Sequence, residues 1–365
     1  MTEVEPPSTH PSLAPAADLN AKPLDPDAPA TPAEAPAAPP APSAPRARAL
    51  TGRPGRIDRR DSIRVAAIKA MWPQVERLLA ADATIRDPEA TPDLKRYRVA
   101  SRRLRAALRT FDDGFSKREG SRLRDGLTEI ADATGTVRDL DVRIAGLTAW
   151  ARERGDDDAA AVLPLQEEWA AARAVAAREL LVHMATRRHE RVLDELVSIV
   201  EAESRRGPEV GDRPIGLRAG SMAWTDYERL IANDASIRWA DLRALHRARI
   251  EAKRLRYLLE FLGDLIGPER QLLVARLVAL QDHLGALNDA AIAAAATRAF
   301  LGHPPTALSS VERRTIETYL RDRDRAVTRL RRSVGRPWRG VIGITFARRL
   351  ARAVVRLSRT APEVA

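Results

Sequence analysis

The chain has 365 residues, no cysteine and a formal net charge of +11, with a sequence isoelectric point near 10.7. The absence of cysteine excludes disulfides, thiolate metal sites and a cysteine nucleophile. A charge this positive is typical of proteins whose partner is nucleic acid, polyphosphate or an anionic membrane surface.

No segment of the sequence has the composition of a membrane or export signal. A run of 18 uncharged apolar residues, as a membrane-spanning helix requires, does not occur. The first residues, MTEVEPPSTHPSLAP, lack the basic and apolar regions of a secretory signal. We therefore expect a cytoplasmic protein.

Residues 1–60 differ in composition from the remainder. Residues 1–45 hold more than half of the 25 prolines, mixed with alanine and small polar residues. Such a segment cannot bury enough apolar surface to offset its conformational entropy, which predicts a disordered tail. The basic stretch RARALTGRPGRIDRR, residues 46–60, is interpreted as a connector.

Helical periodicity dominates from residue 61 onward. In the first half we expect helices over 62–80, 92–112, 117–153, from about 158 or 164, and over 186–204, with Pro73 kinking or breaking the first. The Gly- and Pro-containing segment 205–220 predicts a loop. Helices then resume over 224–234, 246–260, 268–300, 309–334 and 338–358. The pattern predicts an all-α protein.

An arginine-rich phrase occurs twice, about 150 residues apart. KRYRVASRRLRAALR, residues 95–109, corresponds to HRARIEAKRLRYLLE, residues 246–260, at a fixed offset of 151. The segments 127–147 and 277–297 correspond at an offset of 150. The repeat predicts two tandem pseudo-symmetric helical bundles, residues 61–208 and 221–360. It permits, but does not require, that the two basic helices meet in one groove.

The spacing of the cations places them on one face of each helix. Because an α-helix turns by about 100° per residue, positions i, i+4, i+7 and i+11 share a face. The opposite face is apolar, as expected for a helix packed on a core. Arg103 and Arg254 lie on neither stripe, and we expect them to form ion pairs. The first stripe contains Lys95, Arg98, Arg102, Arg105 and Arg109; the second contains His246, Arg249, Lys253 and Arg256.

Polar residues recur in the long helix that follows each arginine-rich helix. Carboxylates near arginines limit rotamer freedom and so lower the entropy cost of binding an anion. We interpret these residues as ion-pair and hydrogen-bond partners that orient the stripes, and not as metal ligands. They are Arg138, Asp139 and Asp141 in the first repeat and Asn288 and Asp289 in the second.

At these residues the chain resembles the CHAD family, a histidine-containing α-helical domain. The matching phrases are RVASRRLR (98–105), RDLDV (138–142), LHRARIEAKRLRY (245–257) and LGALNDA (284–290), and the resemblance covers about residues 61–358. It implies two four-helix bundles around a basic central groove, with inorganic polyphosphate as the ligand, often at polyphosphate granules. By this resemblance the phosphates contact Arg98, Arg102, Arg105, Arg249, Lys253 and Arg256, with Arg109 flanking.

One signature position departs from the family pattern. The first signature histidine falls at Lys95, whereas the second is retained as His246. Lysine keeps the positive charge but cannot form a two-histidine metal site, so we expect no metal and no cofactor. His246 is interpreted as a partner of the anion or of a neighbouring helix.

Two other functions use the same sequence features. A nucleic-acid-binding protein would use the same basic face, but only 4% of residues are aromatic and Tyr257 is the single stacking candidate beside a stripe. CHAD domains can also be joined to a triphosphatase domain, whose E-x-E-x-K motif is absent here, as are Walker A and HExxH motifs. This leaves a phosphohydrolase-accessory, phosphate-binding module as the enzyme-related alternative, and we expect no catalytic residues.

The last helical segment admits two interpretations. ITFARRLARAVVRLSRT is basic and amphipathic, as in helices that lie on a membrane surface. Its position as the last helix of the second repeat favours packing against that repeat instead. The sequence leaves the oligomeric state open.

Overall fold

The computed structural model describes residues 50–87, 93–206, 214–238 and 242–358. These residues form helices and connecting turns. These residues contain no β-strand, which confirms the predicted all-α class. None of the helices in these ranges is long and apolar enough to cross a membrane. The tail predicted for residues 1–45 lies outside the described residues.

The described residues of the first half form six helices. Ser62 and Ser116 begin the first and third, because each serine hydroxyl accepts a hydrogen bond from a backbone N–H of the first turn. Pro164 lies in the first turn of the fifth, where its missing N–H costs nothing. The helices are α1 (Ile63–Arg86), α2 (Leu94–Thr110), α3 (Lys117–Arg152), α4 (Asp156–Ala161), α5 (Leu163–Met184) and α6 (Arg187–Arg206).

Helix α1 runs without interruption through Pro73, so the predicted break is wrong. A proline inside a helix removes one backbone hydrogen bond. Burial of the neighbouring Met71, Trp72 and Val75, each at most 1% exposed, provides packing that offsets this loss. Tertiary packing therefore overrides the local signal.

The second half contains seven helices over residues 214–238 and 242–358. They are α7 (Ile215–Ile231), α8 (Asp234–Arg238), α9 (Leu242–Leu262), α10 (Glu269–Gly302), α11 (Ser310–Ser333), α12 (Gly335–Ile342) and α13 (Ile344–Ser358). Phe346, Leu350 and Leu357 of α13 are buried, and α13 packs on α7 and α10. The packing interpretation of the last helical segment is thus confirmed.

Two of the boundaries that differ from those predicted have a clear structural cause. Residues 215–220 are helical and not loop, because the carbonyls of Asp61 and Arg59 accept from the N–H groups of Ile215 (2.8 Å) and Gly216 (3.0 Å) and thereby cap α7. The last predicted helix is divided at Gly343, whose backbone is extended (ψ 153°). A Cβ at this position would lie 2.8 Å from the Arg339 carbonyl oxygen, so the close approach requires glycine.

Each half has its own packing partners. In the first half α1 packs on α2 and α6, and α3 packs on α2, α5 and α6. In the second, α9 packs on α7 and α10, and α10 also packs on α11, α12 and α13. Leu104 and Leu127 are fully buried in the first half, as are Leu255 and Leu280 in the second. The predicted pseudo-twofold relation between the halves stays a prediction.

Two of the contacts between the halves lie at or near the arginine-rich helices. Helix α2 packs on α9, where the rings of Phe111 and Phe261 lie 6.0 Å apart. Helices α3 and α4 also approach α11, where the Trp150 indole donates to Asp322 at 3.0 Å. The first of these interfaces places the two arginine-rich helices side by side.

Candidate functional site

The two stripes come within electrostatic reach of each other where α2 packs on α9. Besides burial, the positive charges of Arg98 and Arg102 lower the pKa of Arg249, and the same two charges lower the pKa of Lys253. Such coupling between partly buried groups requires short separations. We call this set the basic cluster: Arg98, Arg102, Arg105, Arg249, Lys253 and Arg256.

Lys253 is the most strongly perturbed member of the basic cluster. Burial, followed by the charges of Arg249, Arg102, Arg256 and Arg98, lowers its pKa to about 7. Desolvation and like charges both disfavour the ammonium form. An anion placed beside Lys253 would offset the repulsion by the neighbouring cations and favour the ammonium form, so the site favours a negatively charged ligand.

Arg102 and Arg249 form no ion pair within the described part of the chain. The Nε atoms of both side chains are buried and have no hydrogen-bond partner. Burial lowers the pKa of Arg249, and Asp289 is the first of the charges that oppose this change. Desolvated guanidinium groups without acceptors are unfavourable unless a ligand supplies the acceptors.

Helix α3 holds two arginines of the first stripe. Arg98 Nη1 donates to the Gly135 carbonyl at 2.9 Å and lies 3.0 Å from Asp139 Oδ1. Arg105 Nη1 donates more weakly to Thr128 Oγ1 at 3.4 Å. Burial is the main cause that lowers the pKa of Arg105. These contacts fix the direction in which the guanidinium groups point while leaving donors free.

The two arginines that lie on neither stripe form ion pairs, as expected. Arg103 Nη1 lies 2.6 Å from Glu260 Oε2, which connects α2 to α9. Arg254 pairs with Glu251 of its own helix at 2.8 Å. Glu260 also lies 3.5 Å from Arg256 Nε, so Arg256 is the member of the basic cluster that already has a carboxylate partner in α9.

Three other sequence candidates lie at the edges of the basic cluster. Lys95 is exposed in the first turn of α2. Arg109 lies at the opposite end of α2, in its last turn, where partial desolvation and then the charges of Arg254 and Arg105 lower its pKa. Partial desolvation, then the charges of Arg249 and Lys253, lower the pKa of His246, so its imidazole is neutral near pH 7.

The polar residues expected to orient the stripes occupy different surroundings. Asp139 contacts Arg98, whereas Asp289 acts electrostatically on Arg249, with Arg138 and Asn288 beside it. Asp141 instead pairs with Arg173 of α5, 2.5 Å away. Positions 139 and 141 lie about 200° apart on a helix, so both cannot face the first stripe.

The sequence analysis did not identify the residues of α3 that lie against the first stripe. Thr128, Asp132 and Gly135 each act on Arg105 or Arg98. They follow one another by three or four residues and thus share a face of α3. That periodicity was available in the sequence, but the pairing of α3 with α2 was not.

Tyr257 is unsuited to base stacking. Its side chain is 3% exposed and lies against Phe261, with the ring centroids 6.2 Å apart. The guanidinium carbons of Arg103 and Arg256 lie 5.5 and 5.0 Å from its ring centroid. The ring therefore supports the arginines and does not present a free face.

The residues of the described ranges contain no group of three or more His, Cys, Asp or Glu side chains arranged to hold a metal ion. The positive groups around Lys253 would repel a cation in any case. The charge of the basic cluster thus favours an anion over a cation.

Comparison with known proteins agrees with the fold. The structure is similar to the crystal structure of the CHAD domain from the plant Ricinus communis (TM-score 0.59, 21% identity, covering 79% of this chain and 98% of that one). It is also similar to PptA from Streptomyces chartreusis (TM-score 0.61, 18% identity, 76% and 99% covered). No curated protein is significantly similar in sequence. The CHAD domain family model matches residues 69–298, more than half of the chain, and this protein therefore belongs to the CHAD domain family.

Proposed function

We propose that this protein binds inorganic polyphosphate in a groove formed by the two stripes and does not hydrolyse it. The observation that carries the proposal is the meeting of unpaired, partly buried cations from both halves, with the pKa of Lys253 lowered to about 7. A polyanion would relieve the mutual repulsion of these groups and supply the missing acceptors.

The shape of the basic cluster suits a linear ligand. The first stripe extends from Lys95 to Arg109, about 21 Å along the helix axis at roughly 1.5 Å per residue. Guanidinium groups bind phosphate oxygens in pairs through their planar forks, and a chain of phosphates presents such oxygens repeatedly. A ligand lying between α2 and α9 would contact both stripes at once.

The surroundings favour a phosphate chain over single-stranded nucleic acid. Nucleic-acid sites of this kind add aromatic platforms for the bases. Tyr257 is buried beneath the arginines, and Tyr97 and Phe111 are fully buried in the core. Nucleic acid is thus the competing partner to be measured against polyphosphate.

The proposed role is binding, because the arginines of the basic cluster act as charged hydrogen-bond donors to phosphate oxygens. Arginines remain protonated at neutral pH, and Asp139 is engaged with Arg98. The enzyme-related alternative, an accessory module that presents phosphate chains to a separate hydrolase, is consistent with the same site. Release of orthophosphate by the pure protein with Mg²⁺ would contradict the proposal.

A salt-series titration tests the binding itself. Long-chain polyphosphate and single-stranded DNA of matched charge are titrated into the full chain and into a variant with Arg102→Gln, Arg249→Gln and Lys253→Gln. The matched control carries Arg313→Gln, Arg321→Gln and Arg329→Gln, which remove three exposed charges from α11. Loss of three charge-assisted contacts should weaken polyphosphate binding by at least about 100-fold near 0.15 M salt.

The control should retain nearly the affinity of the unaltered chain. Equal affinity for DNA, or equal affinity of the two variants, would refute the dedicated polyphosphate site. Circular dichroism of each variant establishes that the helical fold persists. Association with cytoplasmic polyphosphate granules follows from the same proposal, and a fluorescent fusion of the three-site variant should lose it.

A further inference from the structure

Arg143 continues the line of α3 residues that support the first stripe. Thr128, Asp132, Gly135 and Asp139 lie on the face of α3 towards Arg105 and Arg98. Arg143 follows Asp139 by four residues and therefore lies one turn further along this face. Its electrostatic coupling to Asp139 agrees with that position.

The guanidinium group of Arg143 is partly buried without an ion-pair partner in the described part of the chain. Burial is the main cause that lowers its pKa. Its Nε atom is buried and has no hydrogen-bond partner, and its guanidinium carbon lies 5.3 Å from the centre of the Trp169 ring. The aromatic face attracts the cation but offers no acceptor to its Nε–H group.

Arg323 of α11 is in a similar state on the other half. Its Nε atom is also buried without a hydrogen-bond partner, and its guanidinium carbon lies 5.1 Å from the centre of the Tyr319 ring. Burial raises the pKa of Tyr319, and the positive charges of Arg323 and Arg143 both oppose this change. The ring of Tyr319 lies 5.1 Å from that of Trp150 and 6.5 Å from that of Trp169. One aromatic cluster thus lies against both unpaired cations.

A second candidate region has the opposite character. A cavity of about 590 Å³ beside Arg109 is lined by further arginines, but each of these has an acidic partner. Arg218 lies 2.5 Å from Asp113, and Arg229 lies 3.1 Å from Asp226. The guanidinium groups of these further arginines already have carboxylate acceptors. The Nε–H groups of Arg143 and Arg323 have none, so a ligand that supplies acceptors would stabilise them.

We infer that Arg143 and Arg323 form an additional phosphate-binding position, at which a polyphosphate chain leaving the basic cluster crosses from α3 to α11. This inference rests on the proposed function, because the chain must first occupy the basic cluster. A phosphate group between the two arginines would accept hydrogen bonds from both halves of the protein. Only chains longer than the basic cluster would reach this position.

The test compares ligand lengths on the full chain. Tripolyphosphate and long-chain polyphosphate are titrated at several salt concentrations into Arg143→Gln/Arg323→Gln and into Arg143→Lys/Arg323→Lys. The control is Arg313→Gln/Arg329→Gln, which removes two exposed charges. For the glutamine variant we expect about tenfold weaker binding of the long chain, and a salt dependence whose slope is smaller by about 1.4. Its affinity for tripolyphosphate should be unchanged.

The lysine variant keeps both charges and should retain the salt slope of the unaltered protein. Unchanged long-chain affinity and slope in the glutamine variant would overturn the inference while leaving the proposed function intact. An equal loss of tripolyphosphate affinity would also overturn it, because the two arginines would then act through the basic cluster. Failure of the unaltered protein to bind either ligand would refute the proposed function first.

Discussion

At the scale of single residues, Lys253 distinguishes the second stripe from the first. It corresponds to Arg102, so the repeat places a lysine and an arginine at equivalent positions of the two helices. An arginine stays charged under almost any surroundings, whereas a buried lysine loses its proton readily. The charge of the basic cluster therefore depends on pH near neutrality, and Lys253 is the group that changes.

Binding of polyphosphate should weaken as pH rises above about 7. In the free protein the pKa of Lys253 is about 7, lowered by burial and by Arg249, Arg102, Arg256 and Arg98. A bound polyanion favours the ammonium form and raises that pKa, so binding takes up a proton between the two values. Over this range the dissociation constant should rise by up to about tenfold per pH unit. Titrations from pH 6 to pH 9 measure the slope.

Two substitutions isolate Lys253 in this experiment. Lys253→Arg should bind with little pH dependence above pH 7, because its guanidinium stays protonated. Lys253→Met should bind at every pH about as weakly as the unaltered protein does at high pH. Desolvation and then its cationic neighbours Arg249 and Lys253 lower the pKa of His246, so in the free protein its imidazole is neutral above pH 7. A flat profile for the unaltered protein would refute the role of Lys253.

At the scale of elements, the α2–α9 contact both joins the halves and defines the basic cluster. Arg103 crosses from α2 to Glu260 and covers the rings of Tyr257 and Phe261, 5.5 and 5.8 Å from their centres. The side chains of Arg103 and Glu260 are 23% and 17% exposed, so solvent screens the pair only in part. Glu260 nevertheless places a negative charge beside Arg256.

Glu260→Gln should therefore destabilise the protein and strengthen its binding. Loss of the carboxylate leaves Arg103 without its partner and should lower the free energy of unfolding by about 1–2 kcal/mol. It also removes the negative charge beside Arg256, so polyphosphate affinity should rise about threefold at low salt. Chemical denaturation and titration measure the two effects separately. Glu179→Gln on the exposed surface of α5 is the control, and a parallel decrease of stability and affinity would contradict this account.

The elements also show what a sequence can predict. The period of a helix fixes the angular positions of Arg98 and Arg102, so the stripes could be predicted without a structure. Their meeting with the second stripe depends on how α2 packs on α9, a contact between residues about 150 positions apart. The start of α7 was missed for the same reason, because its cap comes from the backbone of Arg59 and Asp61. Local patterns predict elements, and long-range contacts decide their ends.

Acidic residues near the stripes show the same limit. The RDLDV phrase suggested one orienting role for Asp139 and Asp141, yet these carboxylates lie on different faces of α3 and pair with Arg98 and Arg173. Arg143, one turn after Asp139 on the same face of α3, is not part of any sequence motif. Its Nε atom is buried without a hydrogen-bond partner, and this can be seen only in the packed structure.

At the scale of the whole molecule, a ligand in the basic cluster would connect two halves that already contact each other, among other places, where α2 packs on α9 and where α3 and α4 approach α11. The second interface contains Asp322, which accepts from the Trp150 indole at 3.0 Å and from Arg154 at 3.2 Å. Since each half supplies one stripe, the complete site exists only when the halves are docked. Binding and docking should therefore stabilise each other.

Polyphosphate should consequently protect both halves from unfolding together. At a free ligand concentration of 100 times the dissociation constant, the stabilisation should be about 2.7 kcal/mol. Hydrogen exchange should slow in α2 and α3 and equally in α9 and α10. Asp322→Ala, which removes the acceptor shared by Trp150 and Arg154, should lower stability by about 1–3 kcal/mol without abolishing this protection, because the basic cluster is intact. Protection confined to one half would mean that the ligand occupies one stripe and does not bridge the two.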